Sequence, residues 1–377
     1  MKGLTADRSD VIELTRQLIG FDTTNPPGCE GVCAAAVNSW LAAVGLDSAT
    51  MYFDEGRANL IARLPGRTGS RPLVLTGHLD TVPFGHASWA RPPLSGEVHD
   101  GRVHGRGASD MKSGVAAMLV AFAEAASLQL NRGVTLILTA GEETGCLGAM
   151  ALRKAGVLEP ASGILIGEPT GNRVSLGHKG CFCVTASFRG TTAHSSMPHL
   201  GRNAVYDAAR AVGRIEAYRF AQGDDGRLGP PSVNVGVFRG GLNFNSVPDS
   251  AEFTVDVRTN SLMPHEQLMR ELEAVAGEAR LSPMVDMPAV ATAADDEFAC
   301  AVSDAAARVL GYEAGRPGPA MPFFTDGSVL GPAQAAPVVI LGPGDTELAH
   351  QTDESCSVEA IEDATAIYRE LIEAWCG

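Results

Sequence analysis

Apolar residues recur along this chain in two rhythms. Short, nearly continuous apolar runs at 59–63, 72–76, 134–139, 163–166 and 337–341 read as strands buried on both faces. Stretches with helical apolar spacing lie before and between them, at 9–20, 30–44, 113–127 and 149–155. Strands alternating with helices predict a largely parallel sheet covered on both sides. Near Lys179 the rhythm changes to strand 181–188, helix 203–218, strands 232–238 and 251–257, helix 264–277 and a short strand at 284–287. These strands alternate polar with apolar, as in Ala251-Glu-Phe-Thr-Val-Asp-Val-Arg258. That alternation predicts a sheet with one solvated face, in β-α-β-β-α-β order. After about residue 288 the first rhythm resumes. The expected organisation is an α/β domain with a mostly parallel sheet, residues 1–178 and 288–377, interrupted by an α+β, ferredoxin-like insertion at 179–287.

A length of 377 residues suits two domains. The 29 basic and 44 acidic residues leave a net charge of −15, which disfavours nucleic acid and anionic membrane surfaces but not divalent cations. The first residues carry no apolar signal core, and the most apolar run, 114–126, is too short to span a bilayer. The eight cysteines form no CxxC pair and read as free thiols. A soluble, cytoplasmic protein without membrane attachment is expected.

Five motifs sit after a predicted buried strand or at a helix start. They are Thr76-Gly-His78-Leu-Asp80, Gly105-Arg-Gly-Ala-Ser-Asp110-Met-Lys-Ser-Gly, Gly141-Glu142-Glu143-Thr-Gly, Gly167-Glu168-Pro-Thr and Ala349-His350-Gln-Thr-Asp-Glu354. In open α/β sheets the carboxyl ends of the strands form one crevice, so these distant segments should converge. Two imidazoles among several carboxylates suit Zn²⁺ or a similar ion. Two ions bridged by one carboxylate, about 3.5–4 Å apart, would hold a hydroxide and polarise a carbonyl. A further carboxylate must shuttle the proton, and the pair Glu142-Glu143 offers one ligand and one base. Singly, each motif has a plainer reading: a structural His, a helix N-terminus, an N-cap. Together they do not. Gly105-Arg-Gly107 is a broken dinucleotide fingerprint, and HExxH, P-loop and GxSxG motifs are absent.

With these motifs the chain resembles, over essentially its whole length, the di-metal amidohydrolases that include acetylornithine deacetylase, succinyl-diaminopimelate desuccinylase, aminoacylase and glutamate carboxypeptidase. The resemblance implies a di-zinc hydrolase domain and a lid or dimerisation domain at 179–287, with two divalent ions per subunit, Zn²⁺ foremost and Co²⁺ or Mn²⁺ as alternatives. It implies His78, Asp110 and Glu168 as ligands of one ion and Asp110, Glu143 and His350 as ligands of the other. It further implies Asp80 as the carboxylate that fixes the His78 tautomer, Glu142 as general base, and a cis peptide at Asp110–Met111. In the insertion, His194 resembles a histidine that a partner subunit offers to the substrate carbonyl. Asn245 and Arg258 resemble a substrate-binding pair, a structural ion pair being the other reading of Arg258. Gly327, in Thr325-Asp326-Gly327, matches a loop lining the substrate pocket.

The activity implied is hydrolysis of the amide bond of a small N-acyl amino acid by a homodimer joined through the lid. The motif from Leu341 to Glu354 looks most like acetylornithine deacetylases. Thr325-Asp326-Gly327 departs from their pattern and leaves a dipeptidase or carboxypeptidase as the alternative. A non-catalytic binding protein is disfavoured because all six ligand and base positions are filled.

Overall fold

The computed structural model describes residues 3–5, 7, 9–311 and 317–377. Met1, Lys2, Ala6 and Arg8, on which part of the signal-core reading falls, lie outside the described residues, as do 312–316. The chain divides into two compact units, Met1–Gly177 with Thr292–Pro319 and Thr325–Gly377, and His178–Ala291 with Ala320–Phe324.

The first unit is built on a six-stranded sheet in the order Ser48–Asp54, Arg57–Leu64, Arg132–Thr139, Ser70–His78, Gly163–Ile166, Val338–Ile340. The last four strands run parallel, and Arg57–Leu64 is antiparallel to both its neighbours. Their interior is aliphatic, with Leu73, Val74, Leu75, Val134, Leu136 and Leu138 all fully buried. The apolar run at 114–126 folds as the helix Ser113–Ala125, whose residues are buried on nearly every side. It packs against the C-terminal helix Val358–Cys376. A helix apolar all round belongs inside a core, and among the described residues no helix is long and apolar enough to cross a membrane. Its start lies hard against the sheet: a Cβ on Gly114 would stand 2.3 Å from the Gly167 carbonyl oxygen. The four parallel strands end on one rim, and their ends lead into His78, Gly141-Glu142-Glu143, Glu168 and the His350 loop.

The second unit holds a four-stranded antiparallel sheet in the order Ser232–Gly240, Ser250–Thr259, Gly180–Arg189, Arg280–Met287. Helices Ala204–Glu216 and His265–Ala276 supply Ala208, Ala211, Ile215, Leu268 and Leu272 to a core shared with Phe182, Val184, Phe253, Val255 and Val257. Strand residues of alternate parity face that core, which is why the sequence alternates. The edge strand Ser232–Gly240 leaves Val237 and Phe238 exposed, and the loop after it exposes Leu242 and Phe244 almost completely.

Candidate metal centre

Strand Ser70–His78 delivers the His78 ring, 1% exposed, to the rim. Its Nδ1–H donates to the backbone carbonyl of Asp80 at 3.0 Å. That fixes the tautomer and leaves Nε2 facing Asp110 Oδ1 at 3.0 Å and Glu168 Oε1 at 3.6 Å. The Asp80 carboxylate, expected to hold the ring, stands 3.6 Å from Nδ1. It is engaged elsewhere, accepting from the backbone N–H groups of Gly141, Glu142 and Glu143 and from Asn25 Nδ2. Asp80 thus orients the ring through its main chain and the Glu142-Glu143 turn through its side chain. The turn also needs Gly141, at φ +73°, where a Cβ would meet the Arg57 guanidinium at 2.5 Å.

Asp110 precedes the helix Ser113–Ala125, and the Asp110–Met111 peptide is cis. Its two carboxylate oxygens face different imidazoles: Oδ1 meets His78, and Oδ2 lies 3.3 Å from His350 Nε2. His350 Nε2 is also 3.1 Å from Glu143 Oε1. Ligand atoms of His78, Asp110 and Glu143, and those of His78, Glu142 and Glu168, form two groups within 4.8 Å. Glu142 is buried, its Oε1 3.9 Å from the Cys146 thiol. The structure therefore brings His78, Asp80, Asp110, Glu142, Glu143, Glu168 and His350 together.

The electrostatics of this cluster favour added positive charge, as protons or as a metal ion. Burial and the Glu168 charge push Glu142 well up, and burial and Asp110 raise Glu143 and Glu168. Burial opposes protonation of His78, but Asp110 and Glu168 outweigh it and lift the ring well above its ordinary range. Asp110 and Glu143 lift His350 to about 10. Burial would raise Asp110, yet hydrogen bonds from both imidazoles hold it far below the usual carboxylate range. Each imidazole nitrogen that faces two carboxylate oxygens needs either an extra proton or a metal ion between them. The N and O donor set fits divalent zinc-like ions.

Sequence reading missed several residues that support the cluster. Arg106 and Glu354, both buried, pair at 2.5 Å, and Glu354 Oε1 accepts from the N–H groups of Ser109 and Asp110. Asp326, also buried, accepts from Thr139 Oγ1 at 2.5 Å, and burial lifts its carboxyl to about 6. Gly327 begins the helix Gly327–Gln334, packed against Ile166 and Val338.

The remaining expected residues lie in the second unit. His194 and Asn245 are brought together: Ser195 N donates to the Asn245 carbonyl, and His194 bridges to Ser246. Exposed His194 accepts at Nδ1 from the Ser196 backbone N–H, at 3.1 Å. A neutral ring so held carries its proton on Nε2. Arg258 lies on strand Ser250–Thr259 with Nη2 3.1 Å from Asp256 Oδ2, the ion pair of its other reading.

The model for peptidase family M20/M25/M40 matches residues 74–374. The chain belongs to that family. The M20/M25/M40 chain is accordingly a metal-binding hydrolase of amide bonds. It is 31% identical to succinyl-diaminopimelate desuccinylase of Cereibacter sphaeroides, over 97% of this chain and 98% of that one. It is also 31% identical to acetylornithine deacetylase of Myxococcus xanthus, over 96% of each. Among solved structures it resembles an M20-family metallo-carboxypeptidase of Sulfolobus solfataricus, with a TM-score of 0.81 and 19% identity over 97% of this chain and 98% of that one.

Proposed function

We propose that this M20/M25/M40 hydrolase cleaves the amide bond of an N-acyl amino acid, the substrate class named for both curated relatives. The observation that carries the reading is the Asp110 carboxylate between two imidazoles, one oxygen toward His78 and the other toward His350. His78, Asp110 and Glu168 would hold one divalent ion, and Asp110, Glu143 and His350 the other, with Zn²⁺ first and Co²⁺ or Mn²⁺ as alternatives. When bound, such ions supply Lewis-acid polarisation of the carbonyl and lower the pKa of water. The chain's own residues do the rest.

Glu142, adjacent to a ligand but without a contact to His350, accepts the proton of the attacking water at its carboxylate and returns it to the leaving nitrogen. Asp80 keeps Glu142 in place by receiving its backbone N–H. His194, with Nε2–H free to donate, stabilises the developing oxyanion from a partner subunit's lid. Asn245 and Arg258 hold the substrate carboxylate, and Gly327 lines its pocket. The unit from His178 to Ala291 serves as lid and dimerisation domain, and the apolar side chains exposed along and beyond the edge strand Ser232–Gly240 support a homodimer. Eight free cysteines, five of them buried, support a reducing, cytoplasmic compartment.

The test is a panel of N-acetyl and N-succinyl amino acids and dipeptides, assayed with chelator-stripped and metal-reloaded protein. Turnover of N-acyl amino acids that disappears on stripping and returns on reloading is expected. Turnover of dipeptides alone moves the enzyme to the peptidase reading, and metal-independent turnover refutes the site.

A further inference from the structure

His350 is the least anchored of the five proposed ligands. It belongs to no strand or helix, its side chain is half exposed, and its φ is +63°, with Asp353 at +61° in the same loop. His and Asp tolerate the left-handed region better than most non-glycine residues, so local preference permits this loop shape but does not by itself select it. A contact from outside the loop does. The Arg106 guanidinium, 2% exposed, donates through Nη1 to the Gln351 carbonyl at 3.1 Å and through Nη2 to the carbonyls of Pro83 at 3.1 Å and His350 at 3.5 Å. Glu354 clamps the other side of Nη1, and the Trp89 ring lies 5.1 Å beneath the cation. The Asp353 carboxylate accepts from the Ala90 N–H, beside Trp89, at 2.7 Å.

His78 has an independent anchor. It ends a central strand and is oriented by the Asp80 carbonyl, while the Asp80 carboxylate is held by three backbone N–H groups and Asn25. A buried ion pair is weak evidence for stability in itself. A planar fork spread over several carbonyls is a geometric device that Lys cannot reproduce. Resting on the reading that Asp110, Glu143 and His350 hold one of two ions, we infer that Arg106 is a positioning residue for His350: it governs the affinity of that ion more than that of the ion held by His78, Asp110 and Glu168, which it reaches only through Glu354 and the Asp110 backbone N–H.

The experiment uses the full chain, stripped by chelator and titrated with Co²⁺, read by visible absorption and elemental analysis. The parent takes up two ions. Arg106→Lys, which keeps the charge beside Glu354 but gives up the fork, retains one ion within about twofold of the parent and weakens the other about 10- to 100-fold, the range for groups that orient metal ligands. In that background Glu168→Gln removes the remaining ion and Glu143→Gln does not. The thermal midpoint of the stripped protein reports any structural cost separately, since a purely structural role weakens both ions alike. If Arg106→Lys fails to fold, Trp89→Leu, which strips the ring from one face of the cation, carries the same test with a smaller shift of the same selectivity. Parent-like affinity for both ions, or equal weakening of both, in a folded variant overturns the inference alone. A parent holding fewer than two ions overturns the two-ion reading and the inference with it.

Discussion

Glu142 and Glu143 are neighbours in sequence, and the structure makes their division of labour a measurable question. Glu143 Oε1 lies 3.1 Å from His350 Nε2, whereas the ligand atoms of Glu142 group with His78 and Glu168 within 4.8 Å. Glu142 therefore has the reach of a ligand as well as the proposed role of a base. Gln replaces either residue at nearly constant volume, so packing is preserved and only the charge is lost. If Glu142 is the base, Glu142→Gln loses the whole proton-transfer contribution, about 10²–10⁴-fold in kcat, or about 2.7–5.5 kcal/mol of activation free energy. Its metal content stays at the parent level. Glu143→Gln leaves His350 facing Asp110 alone. Its affinity for one ion should fall by more than the about 10- to 100-fold expected for a residue that merely orients a ligand. Elemental analysis after dialysis against a weak chelator, paired with single-turnover assays at saturating metal, separates the two. Equal metal loss in both variants, or full metal loss in Glu142→Gln, refutes the assignment.

Mixing inactive His194→Ala with inactive Glu142→Gln should restore part of the activity through hybrid dimers; no recovery after verified subunit exchange refutes a role for His194 across the interface. Arg258→Ala should lower kcat/KM for free-acid substrates by about ten- to hundredfold, the cost of a charge-assisted contact of about 1.5–3 kcal/mol. Arg258→Lys should recover part of this, and C-terminally amidated substrates should lose little. If the parent cleaves acid and amide equally, Arg258 serves only its pair with Asp256. Metal removal should make stability pH-dependent with a definite sign. In the stripped protein Glu142, Glu143 and Glu168 titrate above the usual carboxylate range, and His350 above its ordinary 6.5, at about 10. The native state then binds more protons than the unfolded state, so its thermal midpoint should fall as pH rises from 6 to 9. A midpoint that rises over that window contradicts the charge crowding inferred for the site.

Legibility in the sequence followed the kind of partner each residue has. Buried strands such as Ser70–His78 were readable because their aliphatic runs report burial on both faces, and the second sheet because its alternation reports burial on one. The edge strand Ser48–Asp54, half exposed along its length, carries neither signal. The antiparallel run of Arg57–Leu64 was hidden because side-chain burial does not encode strand direction. That these seven residues cluster was legible because their motifs each follow a buried strand or open a helix, and the sheet rim says where such segments meet.

The orienting layer was not legible, for a different reason. The acceptors for His78 Nδ1 and Arg106 include backbone carbonyls, and the donors to Asp80 and Glu354 include backbone N–H groups. Every residue carries those groups, so a sequence cannot mark which peptide is meant. Asp80 illustrates the consequence. The family resemblance implied a carboxylate–imidazole bond, but the His78–Asp80 turn puts the Asp80 carbonyl nearer the ring and leaves the side chain to collect three N–H groups of the Glu142 turn. Arg106, seen in sequence only as the middle of a broken Gly-x-Gly fingerprint, reaches loops more than 240 residues away in the chain. Residues that touch metal or substrate are constrained by what they are, whereas residues that position them are constrained by where the backbone goes. Substitutions in the positioning layer should therefore change metal affinity and selectivity before they change the fold.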